Sequence, residues 1–234
     1  TIERPDVPAD YKIYLEFEGV NSVAEVYLNN EKVCEHKGGY SAFRVDATEA
    51  LKEGKAYLAV VADNKNRTDV YPQMADFTFY GGIYRNVTMI CVSPTHFCLD
   101  YFGSQGLAFD TKLQGEDALV NLSAWVTEAQ ESDMVQFEIM DEDESVVAEA
   151  FAPAAWETKA TACIEKAHLW QGVKDPYLYT VTARIVRHNE VLDQVEASLG
   201  VREFYVDPEK GFFLNGVPTP LRGVSRHQDR LGQG

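Results

Sequence analysis

The chain has 234 residues, 45% of them hydrophobic and 12% aromatic, with 21 basic against 37 acidic side chains and a formal charge of −16. That length admits two modest domains with real cores. The charge argues against nucleic acid or an anionic membrane surface as partner, and no apolar run is long enough to span a bilayer. The four cysteines, Cys34, Cys91, Cys98 and Cys163, form no CxxC pair and have no histidine at zinc-finger spacing. Reduced, partly buried thiols are expected, which favours a cytoplasmic setting.

Strand signals dominate from the start. Residues 11–18 alternate apolar and polar, and a second run, Val23 to Leu28, follows Gly19. Asn29-Asn30 predicts a tight turn into residues 31–36, and Gly38-Gly39 a second turn before Ser41 to Val45. Asp46 is placed to cap one helical turn through Leu51, and residues 55–63 form a further strand. Short strands with Gly or Asn turns between them predict an antiparallel sandwich or jelly roll.

The stretch from Tyr71 to Val87 differs. It carries aromatics at 71, 77, 79, 80 and 84, a Gly81-Gly82 pair, and one carboxylate, Asp76, among apolar neighbours. Aromatic rings stack on the apolar faces of sugars, and a carboxylate accepts from hydroxyls or holds a cation. A loop packed under its own aromatics, with Asp76 accepting from backbone N–H groups, accounts for the residues equally well.

Cys91-Val92-Ser93-Pro94 marks a boundary. Beyond it about seven strand-like runs over about 110 residues, closing with Val191 to Val201, predict an immunoglobulin-like sandwich. The acidic turn Asp141 to Glu144 lacks the glycine and terminal glutamate of a calcium loop and is read as solvated. Asn-x-Ser/Thr triplets at Asn66, Asn86 and Asn121 are read as chance matches. The tail holds a hairpin turn at Asn215-Gly216 and a strand from Thr219 to Val224, which delivers Arg226, His227, Gln228 and Asp229 together. Such a polar cluster suits a site for a polyhydroxylated ligand. A chain that opens on Thr1-Ile2 and closes soon after this cluster is expected to be part of something longer.

Taken in this order, the motifs resemble glycoside hydrolase family 2, with its β-galactosidases, β-glucuronidases and β-mannosidases. The resemblance is carried by residues 23–30, Gly38 to Phe43, Asp76 through Val87, Leu169-Trp170 with residues 176–179, residues 212–216, and Arg222 to Asp229. It implies an all-β chain with a jelly-roll sugar-binding-like sandwich over 1–93 and an immunoglobulin-like sandwich over 94–202. The first strand of a (β/α)8 catalytic barrel would follow within 203–234. It implies that Asp76 reaches the barrel's active site, binding substrate and in β-galactosidases meeting a sodium ion, and that His227 lines the sugar subsite. Arg226 and Asp229 are weaker candidates, each as well suited to a supporting salt bridge.

Retaining glycosidases need two carboxylates about 5–5.5 Å apart. In the family both lie deep in the barrel, beyond residue 234, so no catalytic residue is expected here and the piece alone is expected to be inactive. No cofactor is expected in this stretch; for the whole enzyme the resemblance implies Mg2+ and Na+, and it allows a homo-oligomer. Residues 221–227 look closest to the β-galactosidase version, and a β-galactoside is the expected substrate. A β-glucuronidase and a non-catalytic carbohydrate-binding module pair are the alternatives, as is scaffolding with Asp76 paired inside its own domain.

Overall fold

The computed structural model describes residues 1–72, 74 and 78–226. They divide into two compact units, Thr1–Ser93 with residues 224–226, and Pro94–Gly223.

The first unit is a jelly-roll-like sandwich of six main strands: β1 (Lys12–Phe17), β2 (Val23–Leu28), β3 (Glu31–Lys37), β4 (Phe43–Asp46), β5 (Leu58–Asp63) and β6 (Val87–Val92). Antiparallel pairing builds one sheet in the order β6-β1-β4 and a second in the order β3-β2-β5. Alternation sends Leu15 and Phe17 of β1, and Ala24, Val26 and Leu28 of β2, into one apolar core. Phe17 stacks on Phe43 with ring centroids 5.0 Å apart.

The β2–β3 turn forms as the sequence predicts, with φ of 49° at Asn29 and 69° at Asn30. Positive φ at both central residues is the hairpin geometry that asparagine tolerates. Asn29 also explains a break that alternation alone does not show. Its Oδ1 accepts from the Tyr57 N–H at 2.9 Å, so the strand expected over 55–63 is interrupted between Lys55–Ala56 and β5. The helical turn after β4 also forms. Asp46 Oδ1 accepts from the Thr48 N–H at 2.8 Å, the Leu51 N–H reaches the Ala47 carbonyl at 3.0 Å, and Leu51 is fully buried.

The second unit is the seven-stranded immunoglobulin-like sandwich. Its strands are β7 (Leu107–Gln114), β8 (Asp117–Ala124), β9 (Met134–Met140), β10 (Val146–Pro153), β11 (Thr158–Ile164), β12 (Tyr179–Arg187) and β13 (Glu190–Leu199). They form the sheets β7-β8-β11 and β10-β9-β12-β13. Val120, Leu122, Phe137, Ile139, Val181 and Ile185 fill the space between them. One charge is sealed in as well. Asp133 is fully buried, and the Arg187 guanidinium donates to it through Nε at 2.6 Å and Nη2 at 2.9 Å. The acidic turn is spent on its own backbone, since Asp141 Oδ1 accepts from the N–H groups of Asp143 and Ser145.

The tail begins as a hairpin of β14 (Phe204–Asp207) and β15 (Gly211–Leu214), with Val217–Pro218 paired on β15. The Asn215-Gly216 turn has φ of 49° and 75°, as its sequence predicts. Residues up to Gly223 group with the second sandwich, and Asn215 is one reason. Its Nδ2 donates to the Trp170 carbonyl at 3.0 Å, its Oδ1 accepts from the Glu203 N–H at 2.9 Å, and its N–H reaches the Glu203 carbonyl at 2.8 Å. Glu203 Oε1 in turn accepts from the Leu113 N–H at 2.7 Å. Asn215→Ala is therefore expected to loosen the hairpin by about 1–2 kcal/mol. The check is amide exchange, which should quicken roughly tenfold at Phe212 and Phe213 while the β9 and β12 amides keep their rates.

The strand expected over Thr219 to Val224 does not form; strand pairing ends at Pro218. Pro218 and Pro220 donate no N–H, and a parallel barrel strand takes its hydrogen bonds from neighbours that the described residues do not supply. Phe213 is buried and stacked on Tyr205, whereas Leu221 is exposed.

Candidate functional site

The segment singled out by its aromatics joins β5 to β6. Side chains from the sandwich hold its later part, from Phe79 onward. Asn21, buried and two residues before β2, donates through Nδ2 to the Tyr80 carbonyl at 2.6 Å. Asn64, just past β5, donates to the Phe79 carbonyl at 3.2 Å. Gly82–Ile83 pairs with Val20–Asn21 as a short antiparallel ladder.

The outgoing end is locked by Tyr84 and Arg85. The Tyr84 hydroxyl donates to the Gly39 carbonyl. Burial pushes that phenol up from its ordinary pKa, so it stays a donor at neutral pH. Arg85 donates to the Tyr40 carbonyl at 3.1 Å and to the Glu18 carbonyl at 3.3 Å, and lies 5.1 Å from the centre of the Tyr84 ring. Two glycines let these groups approach. A Cβ on Gly39 would stand 2.3 Å from Asn21 Oδ1, and one on Gly81 would stand 2.7 Å from Asn64 Cγ.

Between the segment and the end of β5 lies an open cleft of about 250 Å³. Asn21, Ser22, Asn64, Asn66 and Arg67 supply polar groups, and Tyr71 with Phe79 supplies aromatic wall. Arg67 is fixed by Asp69, accepting from its Nε at 2.9 Å and Nη2 at 3.2 Å, and Lys37 completes the group at 2.7 Å. Arg67 first, and then Lys37, hold the Asp69 carboxyl well below the usual carboxylate range.

Of the residues predicted from sequence, Asp76, His227 and Asp229 lie outside the described residues, and Arg226 is exposed. The residues that sequence reasoning missed are the anchors Asn21, Asn64 and Gly39. Each looks like ordinary turn chemistry in the sequence, and only the fold shows what each one meets. Among the described residues, no group of three or more His, Cys, Asp or Glu converges as a metal site. No described helix is long and apolar enough to cross a membrane. All four cysteines are free thiols.

Comparison with known proteins follows the same division. Residues 4–93 match the family model "Glycosyl hydrolases family 2, sugar binding domain", and residues 105–202 match the model "Glycosyl hydrolases family 2". The chain is 34% identical to a β-glucuronidase of Bacteroides fragilis, covering 95% of this chain and 33% of the relative. It is 33% identical to a β-galactosidase of Thermoanaerobacter pseudethanolicus, covering 93% and 29%. Among solved structures it resembles an FMN-binding β-glucuronidase from Facaelibacterium prausnitzii, with a TM-score of 0.92 and 38% identity over 100% of this chain and 36% of that one. The chain thus spans about a third of the length of the relatives it matches.

Proposed function

Since the chain belongs to glycoside hydrolase family 2, we propose that it is the scaffold and substrate-contact part of a retaining β-glycosidase. In this reading the two sandwiches carry the chemistry's supports. The segment anchored by Asn21, Asn64, Tyr84 and Arg85 presents Asp76 to the sugar, and His227 joins it from the start of the barrel. Arg226 and Asp229 brace that end. The nucleophile and the acid/base, two carboxylates about 5–5.5 Å apart, come from outside these residues. The observation that carries the reading is the match of both family models in order, with the chain anchored at Phe79 and Tyr80 a few residues after Asp76 in the sequence.

The form of residues 221–227 favours a β-galactoside as substrate. A β-glucuronide is the second reading, because relatives with that activity in their names match as well as those named for galactosides. Sodium at Asp76, Mg2+ elsewhere, a homo-oligomer and a cytoplasmic setting belong to the same proposal. No step assigned here to a side chain depends on a metal.

The test is turnover of aryl β-galactoside, β-glucuronide and β-mannoside by a longer chain that includes the barrel, beside its Asp76→Ala form. Loss of one charge-assisted contact is expected to lower kcat/KM roughly ten- to a hundredfold. Unchanged turnover in the variant would reduce Asp76 to a structural residue, and no turnover on any of the three would favour a carbohydrate-binding module pair.

A further inference from the structure

Within the second unit, part of one sheet edge lies open beside a groove. We infer that this edge, β7 from Leu107 to Thr111, pairs with an extended segment of a partner polypeptide in which apolar and basic residues alternate. Backbone direction is the first argument. β7 is an outer strand of the sheet β7-β8-β11, and successive residues of a strand turn their N–H and C=O groups to opposite sides. The Leu113 N–H points away from β8, to Glu203 Oε1 at 2.7 Å. The Gly106 carbonyl points to the β8 side, accepting from the Trp125 N–H at 2.9 Å. Phe109 and Thr111 therefore share the outward direction of Leu113, and they stand about 7 Å apart along the strand. Among the described residues, nothing accepts from their N–H groups. An open edge of this kind is a template for another strand. The chain's own cover stops at Thr111, whose hydroxyl donates to the Arg202 carbonyl at 2.8 Å.

The groove is the second argument. It holds about 470 Å³, inside the roughly 300–1,000 Å³ of ligand sites. Phe109 and Thr111 share its wall with Ser198 and Leu199 at the end of β13 and with Phe204 and Tyr205 of β14. Phe204 is 63% exposed and Tyr205 is 51% exposed, so two large rings border an edge that has backbone donors to spare. A strand laid along β7 puts alternate side chains on the half-buried face of Phe109 and Thr111. Apolar residues there gain contact with the groove. The residues between them fall on the exposed face, that of Asp110.

Charge is the third argument, and it selects the residues on that exposed face. Asp110 Oδ1 accepts from Asn121 Nδ2 at 3.0 Å, and Glu203 accepts from the Leu113 N–H. Neither carboxylate is in an ion pair with a described residue. Arg202, the cation at the groove, is turned to other partners: it donates to the Gly200 carbonyl at 2.9 Å and lies 5.0 Å from the centre of the Trp170 ring. Opposite charges directly across a strand pair are favourable and like charges are not. A lysine or arginine across from Asp110 is therefore preferred to a glutamate, within a chain of formal charge −16.

The test is a peptide titration of the 234-residue chain followed by amide NMR, whose spectrum also shows that each form is folded. The probes are acetyl-Val-Lys-Val-Lys-Val-amide, its counterpart with glutamate for lysine, and the lysine peptide N-methylated at its central valine, which removes a donor to the edge. The lysine peptide is expected to shift the amides of Phe109, Thr111 and Ser198 with a Kd of about a millimolar. The glutamate peptide is expected to bind roughly threefold to fivefold more weakly, and the N-methylated one at least fivefold more weakly. Asp110→Lys, an exposed substitution, is expected to reverse the order of the lysine and glutamate peptides. No shift at Phe109 and Thr111 in the folded chain at several millimolar lysine peptide overturns the inference. So does binding that neither N-methylation nor Asp110→Lys changes. Shifts at the same amides that grow with protein concentration in the absence of peptide overturn it in favour of pairing between two copies of the chain.

Discussion

Arg187→Ala is expected to lower the unfolding midpoint of the second sandwich on the order of 10 °C or more, and to reverse the sign of its pH dependence. Asp133 is fully buried and accepts from Arg187 twice and from the Gln130 N–H at 2.7 Å. Arg187 also reaches Thr95 Oγ1 at 3.1 Å, tying the start of the unit to the end of β12. Removing one member of such a pair leaves the other as an uncompensated buried charge, a far larger penalty than the net worth of the pair.

In the native chain the Arg187 hydrogen bonds hold the Asp133 carboxyl below its ordinary range, against the opposing effect of burial. A depressed carboxyl contributes stability that is complete above about pH 4 and is lost as pH falls through the folded value. In the variant burial pushes the carboxyl up, opposed more weakly by the Gln130 N–H and by the nearby His188. The folded state then binds a proton more readily than the unfolded chain, and stability rises as pH falls from 7 toward 4. Thermal melts at pH 7, 5, 4 and 3 check this, the native loss falling below about pH 4. A variant that melts within 2 °C of the native chain at pH 7, or that loses stability on acidification as the native chain does, would show that the pair carries no such weight.

Much of this architecture is legible in the sequence, because alternation, asparagine and glycine turns and the Ser93-Pro94 boundary are local signals. The β2–β3 and β15 turns fall where Asn29-Asn30 and Asn215-Gly216 place them, since positive φ is a property of the residues themselves. Other features depend on distant partners. The break at Tyr57 is made by the side chain of Asn29, and the grouping of residues 203–223 with the second sandwich is made in part by Asn215, Glu203 and Trp170. Pro218 and Pro220, which donate no N–H, are a local signal against the strand expected over 219–224. At the candidate site, aromatic content picked out the segment whose later part the sandwich side chains hold. The anchors went unseen because a buried asparagine and a turn asparagine have the same letter.

Gly39→Ala is the second large effect expected, a loss of about 1–3 kcal/mol from the first sandwich together with displacement of the segment that leads to Gly81. The added Cβ would stand 2.3 Å from Oδ1 and 2.9 Å from Cγ of Asn21. Asn21 cannot swing clear without cost. It is buried, its backbone pairs with Gly82, and its Nδ2 holds the Tyr80 carbonyl. The strain therefore falls on the Asn21–Tyr80 hydrogen bond or on Gly39, whose carbonyl accepts from Tyr84. Either path releases one end of the segment. Gly223→Ala is the control, because a Cβ there meets nothing within 4 Å and should change stability by less than about 0.5 kcal/mol. Denaturant midpoints of the two variants, read with the amide shifts of Tyr80, Gly81 and Tyr84, decide the matter. If Gly39→Ala keeps both its midpoint and those shifts, the contact between Gly39 and Asn21 does not set the position of the segment. In a longer chain with the barrel present, the same substitution should then leave glycoside turnover unchanged, whereas a displaced segment should lower kcat with Asp76 still in place.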